Sequence, residues 1–273
     1  MVKFEWGSRT YVMGVINVTP DSFSGDGLGD DADAAVALAL GMAKGGADML
    51  DVGGMSSRPG HQEIPGQAEL DRVISVLPRI AARVQLPISV DTYRYEVAEA
   101  AIENGATIIN DIWGLQREPR LADLAARERC MLVLMHNQEG TDYEELLPDV
   151  LASLRRSVAV AEAAGVPRDR LVIDPGIGFG KTAEQNLEIL RRLDELKALG
   201  LPILLGTSRK STIGKVLGLP VEDRLEGTAA TVALGIAAGA DIIRVHDVAP
   251  MVRVARMADA VVRGRWHEPE VEA

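Results

Sequence analysis

Hydrophobic positions along the chain follow two alternating patterns. Short, nearly unbroken apolar runs occur at Tyr11–Asn17, Ala47–Val52, Pro87–Asp91, Ala106–Asp111, Cys130–Met135, Leu171–Asp174, Pro202–Gly206 and Ala240–Val245. A run without polar alternation is what a strand covered on both faces requires. Between the runs, apolar residues recur three and four apart, as at Glu69–Val84, Arg94–Asn104, Leu146–Ala164, Asn186–Leu199 and Thr228–Ala238, which predicts amphipathic helices. Three of these segments stop at a glycine just ahead of the next run: Gly105, Gly200 and Gly239. Glycine past a helix end accepts the left-handed conformation that terminates it.

Eight strand–helix pairs with no linker and no shift in composition predict one α/β domain over residues 1–273, a (β/α)8 TIM barrel. A doubly wound open sheet is the alternative. The loops after the first two strands, Thr19–Asp30 and Gly53–Gln62, exceed the roughly 2–6 residues of an ordinary strand-to-helix turn. Long loops on this face of a barrel commonly close over a ligand.

Composition narrows the partners. At 273 residues and 47% hydrophobic content, the chain can bury a core without metal or disulfide staples. Forty acidic residues against 29 Lys and Arg give a net charge of −11, which argues against nucleic acid or an anionic membrane as partner. One cysteine, Cys130, excludes an intrachain disulfide and a cysteine-based zinc site, as expected in a reducing cytoplasm. Met1–Thr10 lacks the apolar stretch of a signal peptide, and the uncharged segment Gly227–Ala240 falls short of the roughly 18–20 residues of a membrane span. Glu69, Glu96, Glu99 and Glu188 lie in helical segments, where they are expected to coat the outer surface.

The informative feature is what ends each run. Asn17, Asp51, Asp91, Asn110–Asp111, His136, Asp174, Ser208–Lys210, Arg244 and His246 stand at or just past the strand ends, where barrels build their active sites. Any one of them could be an ordinary turn residue. All together at one mouth, they point to a binding site. Asp91, Asn110 and Asp174 suit a flat heterocycle with several N–H groups, although Asp91 could instead cap the following helix. Ser208–Ser211 can hold an anion. Asn17, Arg244 and His246 come from strands adjacent in a closed barrel and could grip a diphosphate with Mg2+; equally, Arg244 could simply pair with a carboxylate such as Asp247. The loop Asp174–Lys181 fails as a nucleotide fingerprint, because its glycines read G-x-G-x-G, and although Gly180-Lys181-Thr182 imitates the end of a phosphate loop, the required first Gly is Pro175. It is either a turn needing positive φ or a backbone that lets a planar ligand approach Phe179.

With these strings in order, the chain resembles dihydropteroate synthases of the pterin-binding family, from about Val12 to Val262. The resemblance rests on Met13–Ser24, Asp51–Gly54 with Ser56–Gly60, Ser89–Thr92, Ile109–Asp111, Asp174–Lys181, Ser208–Ser211 and Arg244–Asp247. It implies a barrel enzyme that joins 6-hydroxymethyl-7,8-dihydropterin diphosphate to 4-aminobenzoate, releasing pyrophosphate. By the same resemblance, Asp91, Asn110, Asp174 and Lys210 hold the pterin, with Phe179 and Met135 packing beside it. Asn17, Arg244 and His246 take the diphosphate and Mg2+, with Asn17 as metal ligand. Asp91, Lys210, Arg244 and Asn17 carry the chemistry. Ser57, Arg58, Pro59 and Ser211 form the aminobenzoate site, and the C-terminal helices form a homodimer face. One departure stands out: Met55 occupies a position that is usually Glu, and is expected to alter loop closure rather than the pterin pocket. Two alternatives accompany this reading, a non-catalytic pterin-binding paralogue and a methyltetrahydrofolate–corrinoid methyltransferase.

Overall fold

The computed structural model describes residues 4–19, 32–55, 63–264 and 266. In chain order its strands and α-helices are β1 (Tyr11–Asn17), α1 (Ala32–Lys44), β2 (Met49–Gly53), α2 (Gly66–Ala81), β3 (Ile88–Asp91), α3 (Tyr95–Glu103), β4 (Ile108–Asp111), α4 (Arg120–Glu128), β5 (Met131–Met135), α5 (Leu146–Ala163), β6 (Leu171–Asp174), α6 (Ala183–Arg191), β7 (Leu204–Leu205), α7 (Ser211–Leu217), α8 (Leu225–Ala237), β8 (Ile242–Val245) and α9 (Val248–Arg263). The strands form one parallel sheet in the order β6-β5-β4-β3-β2-β1-β8-β7. Its two edges meet through a single bridge between Ile173 and Ile203, with Ile173 N donating to Pro202 O at 3.0 Å. The expected (β/α)8 barrel is therefore what the chain builds, and the open sheet is excluded.

Both strand faces are covered, which is why the apolar runs are continuous. Tyr11, Met13, Met49, Val133, Leu204 and Ile242 belong to the cluster that fills the barrel. Residues of opposite parity, such as Val12, Leu50, Val90 and Ile243, pack outward with Val36, Val73 and Met251 of the helices. Each such side chain contributes roughly 1.5–3 kcal/mol on leaving water, so the two apolar layers dominate stability. The parallel register pairs Met13 with both Met49 and Arg244, Asp51 with Ser89, Asp91 with Asn110, and Met135 with Asp174. Paired residues share a face. The inward face therefore changes from apolar low in the barrel to Asn17, Asp51, Asp91, Asn110, Asp174 and Arg244 at its C-terminal mouth.

Two expectations change. The helix over Asn186–Leu199 is in fact α6 followed by a 3-10 helix, Leu193–Leu199. Buried Leu193, Leu196 and Leu199 recur every three residues, which matches a 3-10 turn better than an α-helix. A capping box of Thr182 and Gln185 fixes where α6 starts. Glu69 also departs from the surface role expected of it. It is fully buried on α2 and takes a hydrogen bond from Arg94 Nη1 at 2.8 Å, while burial pushes its carboxyl pKa up. Glu96, by contrast, is exposed on α3. Gly105, Gly200 and Gly239 all adopt positive φ, as their stop positions require.

Candidate active site

The polar mouth is organised around Arg244 on β8. Its Nε donates to Asp51 Oδ2 at 2.6 Å and its Nη2 to Asp91 Oδ2 at 2.8 Å, which leaves Nη1 for a ligand. Arg244 therefore does pair with carboxylates, though not with Asp247, which accepts from Arg209 Nε and Nη2 at 2.9 and 2.7 Å. Register explains the choice. Arg244 points into the barrel with Asp51 and Asp91, whereas Asp247 lies past the strand at the start of α9. Asn110 Nδ2 also donates to Asp51 Oδ2, at 3.1 Å. Asp91 is not a helix cap, because Arg94 N donates to Thr92 Oγ1 at the start of α3. Burial pushes the Asp91 carboxyl up to about 7, against the pull of Arg244 and with the repulsion of Asp51. Asp51 has a larger part here than its strand-end position alone indicated.

Neighbouring Asn110 and Asp111 illustrate the strand alternation. Asn110 enters the mouth, while Asp111 turns outward and accepts from Trp113 N at 2.8 Å and Leu115 N at 2.6 Å. Asp111 thus holds the loop after β4, where Leu115 has φ +65°.

Asp174 at the end of β6, Phe179 in the loop after it and Lys210 after β7 form a second group at the mouth. Asp174 Oδ1 accepts from Gly176 N at 2.7 Å, and burial raises its carboxyl pKa against the pull of Lys210 and Arg244. Lys210 Nζ lies 4.1 Å from the Phe179 ring centroid, a cation–π distance. Gly176, Gly178 and Gly180 all have positive φ. A Cβ on Gly176 would sit 2.0 Å from His136 O, and one on Gly180 2.6 Å from Gln138 O. The close approach at these two glycines is to the loop after β5, so the turn reading holds there. Lys181 locks this loop from inside: its buried Nζ contacts His136 Nδ1 at 2.8 Å and donates to Gly176 O and Phe179 O at 3.1 Å. Burial holds the Lys181 pKa down at about 7 and, with Lys181 adjacent, that of His136 at about 3. A neutral His136 can accept through Nδ1. The loop's Gly-Lys-Thr string therefore offers no phosphate cradle.

Ser208 and His246 meet through Oγ and Nδ1 at 2.9 Å. Ser211 is exposed at the first turn of α7. Ser57, Arg58 and Pro59, and nearly all of the first long loop, lie outside the described residues. Met55 differs from expectation. It clusters with Tyr93, Ile112, Met135 and Phe179, so its side chain forms part of the wall shared with two of the pterin candidates. Met135 and Phe179 are themselves buried in that wall, at 3% and 8% exposure.

The mouth suits a hard divalent cation only in part. A Cβ on Gly53 would lie 3.7 Å from Asp91 Oδ2 and 3.9 Å from Asn17 Oδ1, so both oxygens lie close to Gly53, although Asp91 Oδ2 already accepts from Arg244. Asp51 Oδ1 is buried without a hydrogen-bond partner. These are oxygen donors of the kind Mg2+ prefers. Among the described residues, however, no three His, Cys, Asp or Glu side chains converge on a metal position. A cation here would need ligand oxygens, which is how Mg2+ usually sits beside phosphates.

The pterin binding enzyme family matches residues 13–246, from β1 to the end of the site. The chain is 48% identical over 262 residues to a dihydropteroate synthase of Clostridium beijerinckii, covering 96% of this chain and 97% of that one. It is 49% identical over 254 residues to the Bacillus subtilis enzyme of the same name, covering 93% and 89%. Among solved structures, a Clostridium difficile dihydropteroate synthase in the presence of pteroic acid superposes with a TM-score of 0.92 at 48% identity, covering 96% of this chain and all of that one. A Xanthomonas albilineans dihydropteroate synthase with 4-aminobenzoic acid gives 0.87 at 44% identity, with 93% of each chain covered. The match begins on the strand that carries Asn17 and ends at His246, so it takes in the whole polar mouth, and the chain belongs to the pterin binding enzyme family.

Proposed function

We propose that the chain is a dihydropteroate synthase, condensing 6-hydroxymethyl-7,8-dihydropterin diphosphate with 4-aminobenzoate to give 7,8-dihydropteroate and pyrophosphate. One observation carries the reading: Arg244, fixed between Asp51 and Asp91, shares the mouth with the Asp174–Phe179–Lys210 group. Asp91, Asn110 and Asp174 offer carboxylate and carboxamide groups to the N–H edges of the pterin, and Lys210 covers its face or an acceptor edge. Arg244 Nη1, His246 and Asn17 take the diphosphate. The bond between the pterin methylene carbon and the diphosphate oxygen breaks, and its electron pair leaves with pyrophosphate. The cation left on the dihydropterin is stabilised by the nearby Asp91 carboxylate. The neutral arylamine then attacks the methylene and sheds a proton to solvent or product, without a dedicated base. Asn17 would hold Mg2+; bound there, the ion supplies positive charge against the diphosphate.

In the same proposal Ser211, with Ser57, Arg58 and Pro59, receives the aminobenzoate. The chain would work as a homodimer, supported by exposed Val216, Leu217, Leu225, Leu234, Met257 and Val261 on α7, α8 and α9. Among the described residues, no helix is long and apolar enough to cross a membrane. A cytoplasmic location belongs to the proposal and is supported by the lone, buried Cys130.

The test is pyrophosphate release from dihydropterin diphosphate with and without 4-aminobenzoate. Amine-dependent release is expected. Binding of the pterin without turnover would favour a non-catalytic paralogue. Lys210→Ala and Asp91→Ala should each lose most activity while keeping the fold, and an unchanged kcat/KM would remove that residue from the mechanism.

A further inference from the structure

The end of the barrel away from the polar mouth holds a second concavity. Phe4, Trp6 and Tyr11 cluster there, with the Phe4 and Trp6 rings stacked at 5.0 Å and Tyr11 edge-on to both. Beside them opens a cavity of about 560 Å³. Its apolar wall comes from Phe4, Trp6, Leu86, Pro87, Ile108 and Met131, all at or just before the N-terminal ends of strands. Gln85, Thr107 and Asp169 add polar groups, and one cation, Arg170, lines the same space. Packed interiors leave few voids larger than a water, whereas this volume lies within the range that holds small ligands.

Arg170 supplies the chemical signal. It sits in the turn before β6, and its Nη1 is buried without a hydrogen-bond partner. The residue as a whole is half-buried, but a buried guanidinium nitrogen left unpartnered is costly, and its natural complement is an anion. Aromatic faces beside a half-buried guanidinium with one unpartnered nitrogen suit a flat ring that carries one negative group. The catalytic chemistry has no use for this face, because barrels react at the opposite end.

We infer that this N-terminal cavity is a second binding site, for a small planar aromatic carboxylate that packs against the Phe4–Trp6 wall and pairs with Arg170. The inference stands independently of the proposed reaction. The test uses the full chain and 2-naphthoate as probe, with neutral 2-naphthamide as control, followed through the indole N–H resonances of the three tryptophans. The Trp6 signal is assigned with Trp6→Phe. 2-Naphthoate should shift that signal with a Kd on the order of 1 mM or tighter for a ligand of its size. The amide should bind about tenfold or more weakly. Arg170→Met should cost the acid a similar factor and leave the amide unaffected. Among the described residues its side chain makes no hydrogen bond, so the fold has little to lose. Met131→Trp, which fills the cavity, should abolish the Trp6 shift with both probes while pyrophosphate release continues. No Trp6 shift up to about 5 mM probe (several times the Kd expected from ligand size), equal affinity for acid and amide, or indifference of the acid to Arg170→Met would each overturn the assignment.

Discussion

Replacing Arg244 by methionine tests the organisation of the mouth most directly. Methionine keeps much of the aliphatic stem but removes the charge that Asp51 and Asp91 share, at 2.6 and 2.8 Å. Asp51 is fully buried and the Asp91 side chain is 5% exposed, so water cannot replace the lost guanidinium. Removing one partner of a buried ion pair typically costs about 3–5 kcal/mol. For a chain of this size that corresponds to a fall in Tm of roughly 6–15 °C. The cost should depend on pH, with a definite sign. The folded Asp91 carboxyl already lies well above its unfolded value, because burial outweighs Arg244. Without Arg244 it rises further. In the window between the unfolded and folded values the native state holds the extra proton, so stability falls as pH rises. Arg244→Met should therefore lose most at pH 8.5 and least at pH 5.5, where Asp91 is protonated and neutral. The triple variant with Asp51→Asn and Asp91→Asn should recover most of the melting temperature, because no uncompensated charge stays buried. Calorimetric melts at the two pH values measure all of this. A variant melting within about 2 °C of the parent at pH 8.5 would refute the reasoning, given the loss expected. So would a loss that is the same at both pH values.

Other expectations are shorter. Gly176→Ala puts a Cβ 2.0 Å from His136 O at φ +70° and should cost at least about 1–3 kcal/mol; an unchanged urea midpoint would show that the loop yields freely. Met55→Glu introduces a carboxylate beside Phe179 and Met135 and should raise the KM for the dihydropterin substrate. If only the aminobenzoate KM moved, Met55 would act through the loop after all. His136 is neutral in the fold well below its usual range, so on acidification the unfolded chain takes up a proton that the native one refuses. Stability should drop by about 2 kcal/mol between pH 7.5 and 5 from this residue, and His136→Gln should flatten that part of the urea-midpoint profile.

The barrel was legible because strands buried on both faces leave unbroken apolar runs that no surface strand would tolerate. The site was legible at the level of strand ends, where carboxylates, amides and cations accumulate. Which neighbour enters the mouth was harder to read, because one residue of register reverses every side chain. Asn110 and Asp111 look equivalent in the sequence and face opposite ways. Asp247 was the acid partner nearest Arg244 in the sequence, and only the register with β1, and through β1 with β2, puts Asp51 beside it. Glu69 stood in a helix with an amphipathic pattern, and nothing local announced that Arg94, 25 residues on, would meet it inside. The buried role of Lys181 was obscured by a string that resembles a phosphate loop. The N-terminal cavity had no signature at all, since its wall is drawn from segments that are distant in sequence.

The closure of the barrel has a mechanical meaning. Seven of the eight joints between staves are ladders, while the eighth, between β6 and β7, is one bridge at Ile173 and Ile203. Asp174 ends one stave at that gap, and Lys210 follows the other. A ring gripped by both would act as a clasp on the hoop, drawing together the two strands that the backbone ties least. Loading the site would then stiffen the whole cylinder. Amide protons of β7, the shortest stave, would register that tightening first.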